Sequence, residues 1–190
     1  MMKVFHETKG RIIVLLVVVF QLVSTSCSNK VYSEQSGQNS KSHADNKKLN
    51  DFMAAGAEKR INTHNTNPDE IIETAQGYLG VPHCMGGTTR KCMDCSGLLV
   101  TVFARHGIYL PHNSEEQARY GKIISGMDKL KKGDLVFFIR SYKTHLLITH
   151  SGIYLGNNKF IHTSSKNGVT ITSLNDRYWK GKFIFGTRVF

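Results

Sequence analysis

The chain changes character twice along its length. Residues Ile12 to Phe20 form an unbroken apolar run, preceded by Lys3, Lys9 and Arg11 and followed by small residues up to Cys27. A basic start, an apolar centre and a small-residue exit make a secretory signal. Even extended through Val23, the run falls short of the roughly 20 residues that span a bilayer. Residues 1–26 are therefore expected to be a signal peptide. From 27 to 65, Ser, Asn, Lys and Gln prevail, and large apolar residues are few until Leu49. This stretch reads as a tether, which as a flexible coil would reach on the order of 30 to 40 Å. Within it Leu49, Phe52, Met53, Ala57 and Ile61 recur at helical spacing, which suggests a short amphipathic helix over 47–61.

From 66 to 190 the pattern is that of one folded domain. Asn67, Pro68 and Glu70 supply a capping residue, a proline at the first helical position and an acid in the first turn, so a helix is expected to about Tyr78. Gly80 to Arg90 is a glycine-rich loop holding Pro82, His83, Cys84, Gly86 and Gly87. Cys95 to His106 reads as a helix that buries Leu98, Leu99, Val102 and Phe103 and is closed by Gly107. Ser114 and Gln117 stand in capping-box spacing at the head of a shorter helix that ends at Gly121. Beyond Gly133 the pattern turns to apolar, β-branched and aromatic runs over 134–139, 147–155, 159–164, 169–172 and 183–190, which read as strands. Helices first and strands afterwards imply an α+β domain with a mostly antiparallel sheet.

Lys and Arg number 25 against 14 Asp and Glu, giving a formal charge of +11 that favours an anionic partner. The export signal argues against nucleic acid. Leu22 to Cys27 is similar to a bacterial lipoprotein processing site, with Ser24 where a Leu-like residue is usual. That resemblance implies lipidation of Cys27 and an exported chain anchored to the membrane. Ser28 after the cysteine points to the outer membrane, facing the periplasm, if the cell has one. An ordinary signal peptide with an incidental Cys27 is the alternative.

Cys95 is the strongest candidate for chemistry, because it sits where a helix begins and the free backbone N–H groups there favour a thiolate. A sulfur nucleophile needs a base that can later protonate a leaving amine, and histidine suits both steps near neutral pH. His150 and His162 lie on adjacent strands joined by Gly156-Asn157-Asn158. With an odd number of loop residues, even-numbered positions on both strands share a face, and Gly152 between them has no side chain to obstruct. His162 is thus placed to hold one nitrogen of His150 and leave the other for Cys95. Taken singly, a strand histidine is more often a surface or core residue.

Asp94-Cys95-Ser96-Gly97, Gly133 to Phe138, His150 to Tyr154 and Phe160-Ile161-His162 resemble, in order and spacing, the NlpC/P-sixty family of cell-wall peptidases. Pro82, Gly86, Gly87 and the stretch Leu110 to Gln117 match as well, so the resemblance covers roughly Pro68 to Phe190. It implies a papain-like fold and hydrolysis of amide bonds in peptidoglycan stem peptides, commonly between γ-linked D-glutamate and a diamino acid. It also implies Cys95 as nucleophile, His150 as base, His162 as the third polar residue, and Asp94 and Ser96 as substrate-binding residues. Where the family usually has Tyr after the loop proline, this chain has His83, here assigned to substrate binding. Neither cofactor nor metal is expected, and the chain is expected to act as a monomer.

Cys84, Cys92 and Cys95, with His83 and His106 nearby, also admit a zinc site, and Cys92 to Cys95 a redox pair. Only one close pair exists, which weighs against both. A disulfide between Cys84 and Cys92 that leaves Cys95 free is a further possibility for an exported chain. Rival functions are a wall-binding lipoprotein without turnover, motivated by His83, and a thiol amidase or acyltransferase of the same fold.

Overall fold

The computed structural model describes residues 43–190. The expected signal peptide, the expected lipidation site at Cys27 and the first part of the expected tether lie outside the described residues. A compact body runs from Lys48 to Phe190. It contains five α-helical segments in chain order, helical residues 48–54 (α1), Pro68–Gln76 (α2), Cys95–Ala104 (α3), Ser114–Gln117 (α4) and Arg177–Lys180 (α5), and a single 3-10 turn at Met127–Lys129. The strands are Lys122–Ile124 (β1), Leu135–Phe138 (β2), His150–Gly156 (β3), Lys159–Ser164 (β4), Gly168–Ser173 (β5) and Phe183–Arg188 (β6). They form one sheet in the order β1-β6-β2-β3-β4-β5, antiparallel throughout.

Strand β2 is buried at every position because each face of the sheet is covered. Leu135, Phe137, Ile153, Ile161 and Phe185 pack with Leu98, Leu99, Val102 and Phe103 of α3 and Ile71 of α2. On the opposite face Val136, Phe138, Tyr154 and Phe160 pack with Leu174, and partly buried Trp179 and Phe183 close over them. Asp134 at the head of β2 is 2% exposed and accepts from Arg188 Nε and Nη2 at 2.9 and 2.7 Å, tying β2 to the end of β6.

Three local expectations are corrected. The helix suggested for 47–61 stops at 54, where Gly56 at φ +97° and Glu58 at φ +55° turn the chain out of helical geometry. Residues 48–65 are also not a free tether: Phe52 is 3% exposed, and Leu49, Ala57 and Ile61 pack against the core. Arg119 fastens this segment, stacking on the Phe52 ring at 4.4 Å and donating to the carbonyls of Phe52 and Gly56 at 2.9 and 2.8 Å. Ser114 does not cap α4; Asn113 does, accepting from the N–H groups of Glu115 and Glu116. Asn67 caps α2 as expected, and the Glu70 side chain completes a capping box by accepting from the Asn67 N–H.

Candidate active site

The β3–β4 hairpin sets the geometry. Asn157 and Asn158 have φ of +51° and +56°, a two-residue turn with the twist that hairpins favour, and Gly156 pairs with Lys159. Two loop residues alone would put His150 and His162 on opposite faces. An irregularity between Tyr154 and Gly156 inserts one residue, so Tyr154 pairs with Phe160 and Ile153 with Ile161. The bulge restores the shared face. His150 Nε2 and His162 Nδ1 are 2.9 Å apart, and His162 Nε2 reaches Thr172 Oγ1 at 3.0 Å. Gly152 makes this approach possible, since a Cβ there would lie 2.7 Å from the Ile161 carbonyl oxygen and 3.2 Å from the His162 Cβ.

Cys95 begins α3, with Asp94 as N-cap. The Asp94 carboxylate is heavily engaged. Its Oδ1 accepts from Gly97 N at 2.7 Å and Ser96 Oγ at 3.0 Å and meets His112 Nε2 at 3.0 Å, while Oδ2 accepts from Gly86 N at 2.7 Å. Burial works against ionisation of Asp94, but these partners outweigh it and hold the carboxyl below its ordinary value. The Asp94 carbonyl accepts from Thr163 Oγ1 at 3.1 Å, which fixes the head of α3 to β4.

The half-buried Cys95 sulfur lies 3.5 Å from Ser114 Oγ and against the backbone of Ser151, the residue after His150. Ser114 Oγ is 3.1 Å from Ser151 Oγ, which donates to Gln117 Oε1 at 3.2 Å. Gln117 in turn donates to the Ser96 and Pro111 carbonyls, both at 2.9 Å. Burial pushes the Cys95 thiol above its ordinary value despite the Ser114 hydroxyl and the Ser151 backbone, and the charge of Asp94 pushes it the same way. This corrects the expectation of a thiolate stabilised by the helix start. Asp94 already occupies the electropositive end of α3, so that end faces the sulfur with an anion in place.

His150, at the start of β3, is 8% exposed and His162 is 1% exposed. Burial, with some help from the nearby His83, pushes the His150 pKa down to about 3, partly opposed by Asp94. Burial and then His150 hold His162 well below its ordinary value. The resting site is therefore a neutral thiol beside neutral imidazoles.

A cleft of about 1020 Å³ takes lining from Cys95, His150, His162, Asp94, Ser96 and His83. All six candidate site residues thus share one cavity, although the Ser96 hydroxyl is turned onto Asp94. Ser114, His112, Tyr142 and Trp179 also line it and were not singled out by their sequence positions. Ser114 was legible only as a helix-start residue. Partial burial raises the Tyr142 phenol above its ordinary value, and the nearby Cys95, Asp94 and Glu115 act in the same direction. Cys84 and Cys92 form a disulfide, so the zinc reading and the Cys92–Cys95 redox pair both lose a ligand, and Cys95 is the free cysteine among the described residues.

A thiol at a helix head, set against an antiparallel sheet that presents paired imidazoles, defines the papain-like class of cysteine-centred folds. Comparison narrows the class. The model of the NlpC/P60 family matches residues 80–188, and the chain belongs to that family. A gamma-DL-glutamyl hydrolase of Bacillus subtilis is 42% identical over 114 residues, covering 59% of this chain and 27% of that protein. The murein DD-endopeptidase MepS/murein LD-carboxypeptidase of Escherichia coli K12 is 40% identical over 120 residues, covering 63% of this chain and 61% of that one. The crystal structure of an NlpC/P60 family protein from Bacillus cereus superposes with a TM-score of 0.59 at 30% identity, covering 65% of this chain and 40% of that one. Each match spans less than two thirds of the relative's own length.

Proposed function

We propose that this chain is a cysteine peptidase that hydrolyses an amide bond in peptidoglycan stem peptides, between γ-linked D-glutamate and the diamino acid that follows. The observation that carries the reading is the free sulfur of Cys95 in one cleft with the His150–His162 pair. The family and the relatives named as a murein endopeptidase and a gamma-glutamyl hydrolase support the substrate class.

In the tautomer that serves this reaction, His150 donates through Nε2 to His162 Nδ1, His162 donates through Nε2 to Thr172, and His150 Nδ1 is left as the acceptor. The Cys95 proton passes to that nitrogen as the sulfur attacks the amide carbonyl and a C–S bond forms. The Cys95 backbone N–H donates to the oxyanion. The C–N bond then breaks, and the departing amine takes the proton from His150. Water, deprotonated by the same imidazole, cleaves the C–S bond and releases the carboxylate. The carboxylate of Asp94 keeps acceptor capacity on Oδ2, where Gly86 N is its partner, and this can receive the amino terminus of a stem peptide.

Defined muropeptides incubated with the protein should yield new amino termini, read by mass spectrometry. Cys95→Ala should leave no detectable cleavage while preserving the thermal transition. Intact muropeptides under conditions that activate a related enzyme would overturn the reading.

A further inference from the structure

Trp179 is the sole tryptophan of the chain, and it stands over the imidazole pair. Its ring stacks on His150 with centroids 4.6 Å apart and planes at 30°, and meets His162 edge-on at 4.9 Å and 75°. It is held in place: edge-on contact with Phe138 at 4.8 Å backs it, and Asp176 caps the short helix α5 that carries it. Tyr178, beside it, donates through its hydroxyl to the Ser141 carbonyl at 3.1 Å.

The proposed reaction requires His150 to carry a positive charge while Cys95 attacks, yet the surroundings resist that charge. His162, the hydrogen-bonded neighbour, is itself held neutral, and a charge on His83 opposes one on His150. Asp94, at the head of α3, is the anion that favours it, and its carboxylate is already shared among four partners. Asp176 on the Trp179 side lines the same cleft but is engaged in capping α5. A tryptophan face within about 6 Å of a cation attracts it through the ring quadrupole, and more strongly where water is excluded. We infer that Trp179 is a positioning residue of the reaction, whose indole face stabilises the His150 imidazolium and so raises the population of the thiolate–imidazolium pair.

This rests on the assignment of His150 as the base for Cys95, and its test needs no peptidoglycan. Alkylation of Cys95 by iodoacetamide at pH 7 reads the thiolate–imidazolium population directly. Trp179→Leu keeps an apolar cover without a π face and should slow alkylation about tenfold, with Trp179→Phe in between. All three proteins should converge at alkaline pH, where the thiol loses its proton to solvent instead. The intrinsic fluorescence should also fall as His150 titrates in acid, and that fall should vanish in His150→Gln. If Trp179→Leu alkylates as fast as wild type at pH 7 while His150→Gln is slowed, the base assignment stands and the role of Trp179 is overturned. The same result would arise if the indole served only as a platform for substrate. If His150→Gln is not slowed either, the base assignment fails and takes this inference with it.

Discussion

Cys95 is surrounded by groups that decide its charge in opposite directions. The start of α3 and the Ser114 hydroxyl favour a thiolate, whereas burial and the Asp94 carboxylate favour the thiol, and the second pair prevails. His150, held near a pKa of about 3, stays neutral at neutral pH. In the proposed reaction, proton transfer from sulfur to imidazole is therefore part of the attack rather than complete before substrate arrives. The expected pH dependence follows. Alkylation of Cys95 should keep rising into the alkaline range, reaching half its maximum above the ordinary thiol value of 9.0, with only a small fraction of the final rate in place at pH 6. A full-rate plateau established below pH 6 would show that the resting state is an ion pair. The position of Cys95 at a helix start was readable from the letters around it. Its charge state was not, because that depends first on burial of the sulfur and then on an Asp94 carboxylate that turns back onto Gly97 N and Ser96 Oγ.

At the scale of elements, the β3–β4 hairpin is the part on which the site depends most. Gly152 allows β4 to lie close enough for the two imidazoles to meet, and a methyl group there would press on the Ile161 carbonyl, the Phe160 ring and His162. Gly152→Ala should cost about 1–3 kcal/mol of stability, the usual range for overpacking. It should also lower the rate of Cys95 alkylation at neutral pH, because the His150–His162 hydrogen bond is the contact displaced. Unchanged denaturation and alkylation in this variant would mean that the hairpin yields without disturbing the pair. The shared face of the two histidines was legible in the spacing of His150, Gly152 and His162 around Gly156-Asn157-Asn158. The bulge near Leu155 that produces it was not, since a two-residue turn plus one inserted residue has the same parity as a three-residue loop. Helix α5 was also missed: Arg177–Lys180 is one turn long, too short to show any period, and it is fixed by the Asp176 cap and by Trp179 packing on Phe138 and Phe160. The segment before Asn67 read as polar tether because it contributes one deeply buried side chain, Phe52, whose place is set by the distant Arg119.

For the whole molecule, the buried imidazoles link folding to pH. The unfolded chain binds a proton at His150 near the ordinary 6.5, whereas the folded chain does so near 3. Between those values the unfolded state holds more protons, so stability rises with pH, and acidification from 6.5 towards 3 removes about 1.4 kcal/mol per pH unit on account of His150. His162 is shifted in the same direction. Asp94 acts in the same sense at lower pH: its depressed carboxyl contributes stability above its ordinary 3.8 that is lost as pH falls through the folded value. The domain should therefore show a urea midpoint that falls continuously from pH 7 to pH 4. The formal charge of +11 adds self-repulsion in acid, but that contribution is common to variants and leaves the comparison intact. His150→Gln, which removes the titrating group and keeps a hydrogen-bonding side chain, should flatten the fall. Equal slopes in the two proteins would place the acid sensitivity elsewhere and show that His150 is as readily protonated in the fold as out of it. Burial of His150, which is 8% exposed and packs against the Phe138 ring, makes the flatter slope the expected result.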